Sequence, residues 1–108
     1  MLAVRVTIAG FIDEQQPGWV ECNLVDAHGK TWKFNEKAPV VSNENLRSDS
    51  EYPKQGSIVC TALHRQVDGA GRLVVTVDMI SPWGIESTDG STIFDVYAEQ
   101  IEDYAAGN

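Results

Sequence analysis

Residues 57–80 read S-I-V-C-T-A-L-H-R-Q-V-D-G-A-G-R-L-V-V-T-V-D-M-I. Two runs rich in β-branched and apolar residues, 57–65 and 72–80, flank Asp68-Gly69-Ala70-Gly71. A glycine-containing turn between two such runs is the signature of an antiparallel hairpin. The rest of the chain extends the same theme. Leu2, Val4, Val6 and Ile8 alternate with Ala3, Arg5 and Thr7, the period of a half-buried strand. Residues 19–25 place Val20, Cys22 and Leu24 on one face and Trp19, Glu21, Asn23 and Val25 on the other. Asp26-Ala27-His28-Gly29-Lys30 is a hairpin connection into residues 31–35, with Trp32 and Phe34 on one side and Lys33 on the other.

Between these strands the pattern weakens. Pro39 is compatible only with a sheet edge or a break in the ladder. Residues 42–56 form the longest polar segment, in which Ser42 caps one helical turn through Leu46 or the chain runs as a loop. After the 57–80 hairpin, residues 84–86 extend a short strand, Thr88-Asp89-Gly90-Ser91 turns, and 92–96 is the last strand. Residues 98–104 end as a weak helical turn or a frayed tail. Short strands, frequent turns and no long helix predict an all-β fold. Closure removes exposed edges, so we expect a small closed or partly open antiparallel β-barrel of about six strands, with at most one or two short helical turns. With 108 residues the chain fits one domain, 1–108, with one core.

Composition narrows the function classes. Residues 1–72 hold all eight basic residues and nine acids, whereas 73–108 hold seven acids (Asp78, Glu86, Asp89, Asp95, Glu99, Glu102 and Asp103) and no Lys or Arg. Nucleic-acid backbones are bound by Lys and Arg, so the acidic third opposes that role and suits a basic protein surface, although plain solubility explains it equally. Cys22 and Cys60 sit in apolar runs and read as buried thiols, or as a cross-strand disulfide in an exported protein. No Cys or His spacing suggests a metal site, and no motif implies a cofactor. The N-terminus lacks signal-peptide character and no apolar run spans a bilayer, so a cytoplasmic, non-membrane protein is expected. The edge near Pro39 leaves a homodimer open.

No residues read as catalytic. His28 lies in a turn, and His64 ends a strand, four residues from Cys60 and too far along it to pair with that thiol. Glu86 and Asp89 flank a turn, where acids are usually solvated. The stretch S81-P-W-G-I-E-S-T-D-G90 holds Trp83 at a chain reversal between Pro82 and Gly84. Trp83 is either a plug at one end of the barrel or an exposed anchor rimmed by Glu86, Ser87 and Asp89. Trp19, after a Pro-Gly turn, is the second anchor candidate.

In size and in elements such as Y52-P-K-Q-G-S-I-V-C60 and S81-P-W-G-I-E-S87 the chain resembles small bacterial single-domain proteins, and loosely the toxin-neutralising immunity proteins. The resemblance carries no functional residue over. The reading is a non-enzymatic binding module whose acidic last third engages a basic protein, in an immunity- or inhibitor-like role. The alternative is an OB-like barrel that binds a small ligand or single-stranded nucleic acid, with Trp19, Trp32 and Lys33 lining the site.

Overall fold

The computed structural model describes residues 1–104, and among them it is an antiparallel, partly open β-barrel. Strands β1 (Leu2–Asp13), β2 (Trp19–Val25) and β3 (Thr31–Lys37) are joined by tight turns. One helical turn, α1 (Ala38–Val41), and a long loop lead to β4 (Lys54–Val67), β5 (Leu73–Asp78) and β6 (Ile93–Tyr97). A single 3-10 turn, Ala98–Gln100, leads into β7 (Ile101–Asp103).

The sheet runs β3-β2-β1-β4-β5-β6. Three hairpin-connected strands and a fourth that returns beside the first make a Greek key. β1 holds the barrel together because both of its edges are used. Its first half pairs β4 from Leu2↔Cys60 to Ile8↔Lys54, and its second half pairs β2 from Thr7↔Asn23 to Asp13↔Trp19. β7 pairs the remaining edge at Leu2–Val4 and draws the end of β6 back onto β1. Two register shifts, between Ile8 and Gly10 and between Phe11 and Asp13, bend β1 as it passes from one partner to the other.

The alternation expected for β1, β2 and β3 is the alternation observed. Val4, Val6 and Ile8 from β1, Val20, Cys22 and Leu24 from β2, and Phe34 from β3 are buried in one core with Ile58, Val75, Val77, Phe94 and Val96. Phe94 bridges the two ends of the sheet: its ring lies edge-on to Trp32 at 5.0 Å and to Phe34 at 5.6 Å. Asp26 fixes Trp32 from the other side. Its carboxylate, 7% exposed, accepts from the His28 and Lys30 amides at 2.9 Å and from Trp32 Nε1 at 2.8 Å. The same turn is fastened to β6. The Ala27 amide donates to the Asp95 carbonyl at 2.8 Å and the Tyr97 hydroxyl to the Ala27 carbonyl at 3.1 Å.

Two local expectations are corrected and two are met by one of their alternatives. Residues 42–53 run as the loop, and the helical turn is at Ala38–Val41, where Pro39 occupies a first-turn position and its missing N–H costs nothing. Ser42 Oγ instead accepts from the Glu44 amide in a local turn. The β2–β3 ladder ends at Lys37, so Pro39 lies at a break in the ladder, one of its two expected places. Residues 84–86 are not a strand: Ile85 is buried, and its amide donates to the Met79 carbonyl in a loop. Residues 101–103 are a strand rather than a tail, which brings the number among the described residues to seven. Cys22 and Cys60 are buried free thiols, pushed up by burial to about 12 and about 11 respectively. Among the described residues no helix is long and apolar enough to cross a membrane.

Gly56 sits on the core face of β4 opposite Val6, where an added Cβ would meet Ile8 Cδ1 and the Val41 carbonyl oxygen, both at 2.8 Å. The carbonyl belongs to backbone and cannot rotate away. Gly56→Ala should therefore destabilise the fold by about 1–3 kcal/mol in urea unfolding. Gly10→Ala, where nothing lies within 4 Å, should stay within about 0.5 kcal/mol of the parent.

Candidate functional site

Trp83 is not a plug. Its residue is 41% exposed, and its ring meets Tyr104 edge-on at 5.3 Å. The turn that carries it is closed by the Gly84 amide donating to the Ile80 carbonyl at 2.7 Å, with Gly84 at φ +67. That left-handed conformation is inexpensive only for glycine. Two hydrogen bonds attach the aromatic pair to the sheet: Thr61 Oγ1 donates to the Ser81 carbonyl at 3.2 Å, and the Tyr104 amide to the Met1 carbonyl at 2.8 Å. Two positions along the ladder from these anchors, Ala3 and Val59 lie directly opposite each other on the outward face of β1 and β4. Both are 0% exposed although they stand outside the main core. The Trp83–Tyr104 pair thus sits on the outside of the barrel, beside exposed Met1 and Ile80, with Glu102 and Asp103 of β7 along the same end. The result is an apolar, aromatic centre with Glu102, opposite Ala3, on the same outward face.

The residues expected to rim Trp83 behave differently. Ser87 is buried and its polar groups are consumed by a tight turn: its amide donates to the Ser91 carbonyl at 2.8 Å, its Oγ accepts from the Ser91 amide at 3.0 Å, and its hydroxyl donates to Asp89. That hydroxyl is the main reason the Asp89 carboxyl is held below its ordinary range. Ser87 and Asp89 hold the loop in shape, Ser87 from a buried position and Asp89 from an exposed one. Glu86 is exposed. Its charge is felt by Glu36, whose carboxyl is pushed up chiefly by burial, with Glu86 adding to the effect.

Four of the seven acids of the last third, Asp78, Asp89, Asp95 and Glu99, are already engaged within the protein. Asp78 accepts from the Ile80 amide at 2.9 Å, and Glu99 pairs with Arg72, whose guanidinium also lies over the Tyr97 ring at 3.3 Å. Asp95 accepts from Thr76 Oγ1 at 2.6 Å and faces His28 Nε2 at 2.9 Å. Thr76 and His28 hold the Asp95 carboxyl low. Among the described residues only Glu86, Glu102 and Asp103 of that group have no side-chain partner within the protein. Sequence composition counts charges but does not show which of them meet.

Trp19 lies on the outward face of β2, as its parity required, opposite Lys37, whose Nζ is 5.8 Å from the ring centroid. Asn23 and Lys33 are cross-strand partners on that face. Trp32 is not with them: it points to the core side, its N–H is held by Asp26, and Lys30 Nζ stands 3.8 Å over its ring. Trp19 and Trp83 are not brought together either. Trp19 pairs with Asp13 at the C-terminal end of β1, whereas Trp83 is tied to the end that begins at Met1. Cys60 faces the core while His64 is exposed, so the two do not meet. Among the described residues no group of three or more His, Cys, Asp or Glu side chains is placed to hold a metal ion. No protein-family model, curated protein or solved structure matches the chain.

The His28–Asp95 contact has a signed pH dependence. The His28 imidazole is held above its ordinary value, first by its hydrogen bond to Asp95. A raised pKa contributes stability that is complete below the ordinary His value, about 6.5, and is lost as pH rises through the folded value. The melting-temperature gap between the parent and His28→Ala should be larger at about pH 5.5 than at about pH 8.5.

Proposed function

We propose that the chain is a non-enzymatic binding module that engages a basic protein through the Trp83–Tyr104 surface. The observation that carries this reading is an aromatic pair left 41% exposed at Trp83 yet held edge-on at 5.3 Å and fastened to the sheet. A pre-positioned aromatic loses little freedom on binding, which is why such residues dominate interface energetics. Glu102 stands opposite Ala3 on the outward face of this end, Asp103 opposite Leu2 on the other face of β7, and neither faces a cation of the protein among the described residues. The charge selects a basic partner, and an immunity- or inhibitor-like role is one specific form of the reading. Relative to the sequence expectation, the acidic contact narrows from the whole acidic last third, with Glu86 and Asp89 beside Trp83, to β7.

The immobilised protein should retain a basic protein from its own cell extract at low salt and release it at high salt. Trp83→Ala, and separately Glu102→Lys with Asp103→Lys, should weaken the isolated complex by tenfold or more, while Trp19→Ala should leave it within about twofold. Equal retention by the parent and Trp83→Ala would remove the proposal.

One observation favours a second reading. The Greek-key path and the outward Trp19, Lys33 and Lys37 of β2–β3 resemble, at the level of architecture, the way OB-like barrels present aromatics and cations to single strands. On this reading oligothymidylate quenches tryptophan fluorescence at low salt, with the quenching lost in Trp19→Phe. An unchanged signal at low salt would end it.

A further inference from the structure

β4 runs on past its first partner. β1 pairs it as far as Leu2↔Cys60, and residues 61–67 pair β5 on the opposite edge. Beyond Cys60 the edge that β1 fills is open: among the described residues, nothing outside the β5 ladder is hydrogen-bonded to the main chain of 61–67. Leu63 is the extra residue of a bulge between Ala62 and His64, so the regular part of the open edge is residues 64–67. In an antiparallel pair, alternate residues direct their N–H and C=O away from the partner strand. The hairpin closes with the Asp68 amide on the Arg72 carbonyl, so by alternation the Val67 and Arg65 amides face the open edge.

The side chains leave the same stretch uncovered. Leu63, His64, Arg65, Gln66 and Val67 are all exposed, although they alternate between the two faces of the strand. Arg65 stands opposite Val75 and Val67 opposite Leu73, on the face that β5 turns to the core. The hairpin has run past the barrel at that point, and Leu73 is itself exposed. A strand open on one edge and on both faces is the form in which a sheet accepts an added strand.

The sign of the charge selects the occupant. Among the described residues β4 is the one strand of the seven without an acid: it carries Lys54, His64 and Arg65 and no Asp or Glu, in a chain of net charge −8. Arg65 has no carboxylate partner among the described residues. A second copy fits this edge poorly. Antiparallel pairing of the edge with itself brings His64 and Arg65 close to their own copies, and like charges across a ladder are destabilising. The edge is also at most seven residues long, against the roughly 20–30 residues a side of a stable interface. The bulge and the charge are the devices that keep an open edge from templating copies of itself. An acidic strand is attracted by that same charge.

We propose that residues 64–67 of β4 accept an extended acidic segment of another protein as an added strand, with an acid of that segment beside Arg65 and an apolar side chain beside Val67. Main-chain hydrogen bonds hold the segment and the guanidinium selects its sign. The edge is separate from the Trp83–Tyr104 surface and takes the opposite charge.

The test is an amide chemical-shift titration of the intact protein at low salt with the peptide acetyl-TVTETVT-amide and, separately, with acetyl-TVTKTVT-amide. Saturable shifts centred on residues 64–67 are expected for the glutamate peptide, with the lysine peptide bound at least fivefold more weakly. Arg65→Glu should invert that order. Val67→Pro removes an amide that faces the open edge and leaves the β5 ladder its own bonds, so it should weaken the glutamate peptide at least fivefold. The spectrum itself reports that each variant is folded. Shifts that stay linear in concentration for both peptides, equal affinity for the two, or unchanged affinity in Val67→Pro would overturn the proposal. Shifts at 64–67 that follow the protein's own concentration without peptide would give the edge to a second copy and overturn it as well.

Discussion

One strand, β1, carries the architecture because it is hydrogen-bonded on both edges. β4 takes one edge, and β2 and β7 share the other. A strand of this kind has to turn through the space between two partners, which is what the two register shifts near Gly10 accomplish. It also satisfies backbone groups that an open sheet would present as a template for aggregation. Surfaces described above inherit their geometry from it. The Trp83–Tyr104 pair is anchored at its Met1 end, and Trp19 stands opposite its last residue.

The second joint is between the β2–β3 turn and β6. Asp26 alone satisfies two amides of its own turn and the indole N–H of Trp32. Trp32 in turn packs edge-on against Phe94, and the Ala27 main chain bonds to Asp95 and Tyr97. A buried carboxylate is tolerated here because both of its oxygens accept, three hydrogen bonds in all. The barrel is thus closed near one end by side chains and turn backbone where no ladder joins β3 to β6. The loop before β6 fills the remaining gap, with Met79 and Ile85 buried and the Thr88 amide donating to the Lys33 carbonyl at 2.8 Å.

Charge provides a separate lesson. Seven acids and no cation in the last third look like one acidic face when the chain is read in order. In three dimensions Asp95 meets His28 from the β2–β3 turn and Glu99 meets Arg72 from the end of the β4–β5 turn. The partners come from more distant segments of the chain, so sequence asymmetry does not become an equal asymmetry of surface potential. What persists is local: among the described residues Glu86, Glu102 and Asp103 are the acids of that third without a side-chain partner.

The all-β class, the hairpins at 26–30 and 68–71, the inward faces of β1, β2 and β3 and the burial of both cysteines were legible in the residues, because alternation and turn chemistry are local properties with a period of two. The exposure of Trp83, the retirement of Ser87 and Asp89 into a turn, the separation of Trp32 from Trp19 and Lys33, and the strand at Ile101–Asp103 were decided only by tertiary structure. Trp32 shows the difference well. Its parity placed it on the core side with Phe34, but only the fold brings Asp26 and Phe94 to its two ends. Local sequence sets which way a side chain points. Which chemistry it meets there depends on contacts between residues far apart in the chain, and those exist only once β1 has gathered its partners.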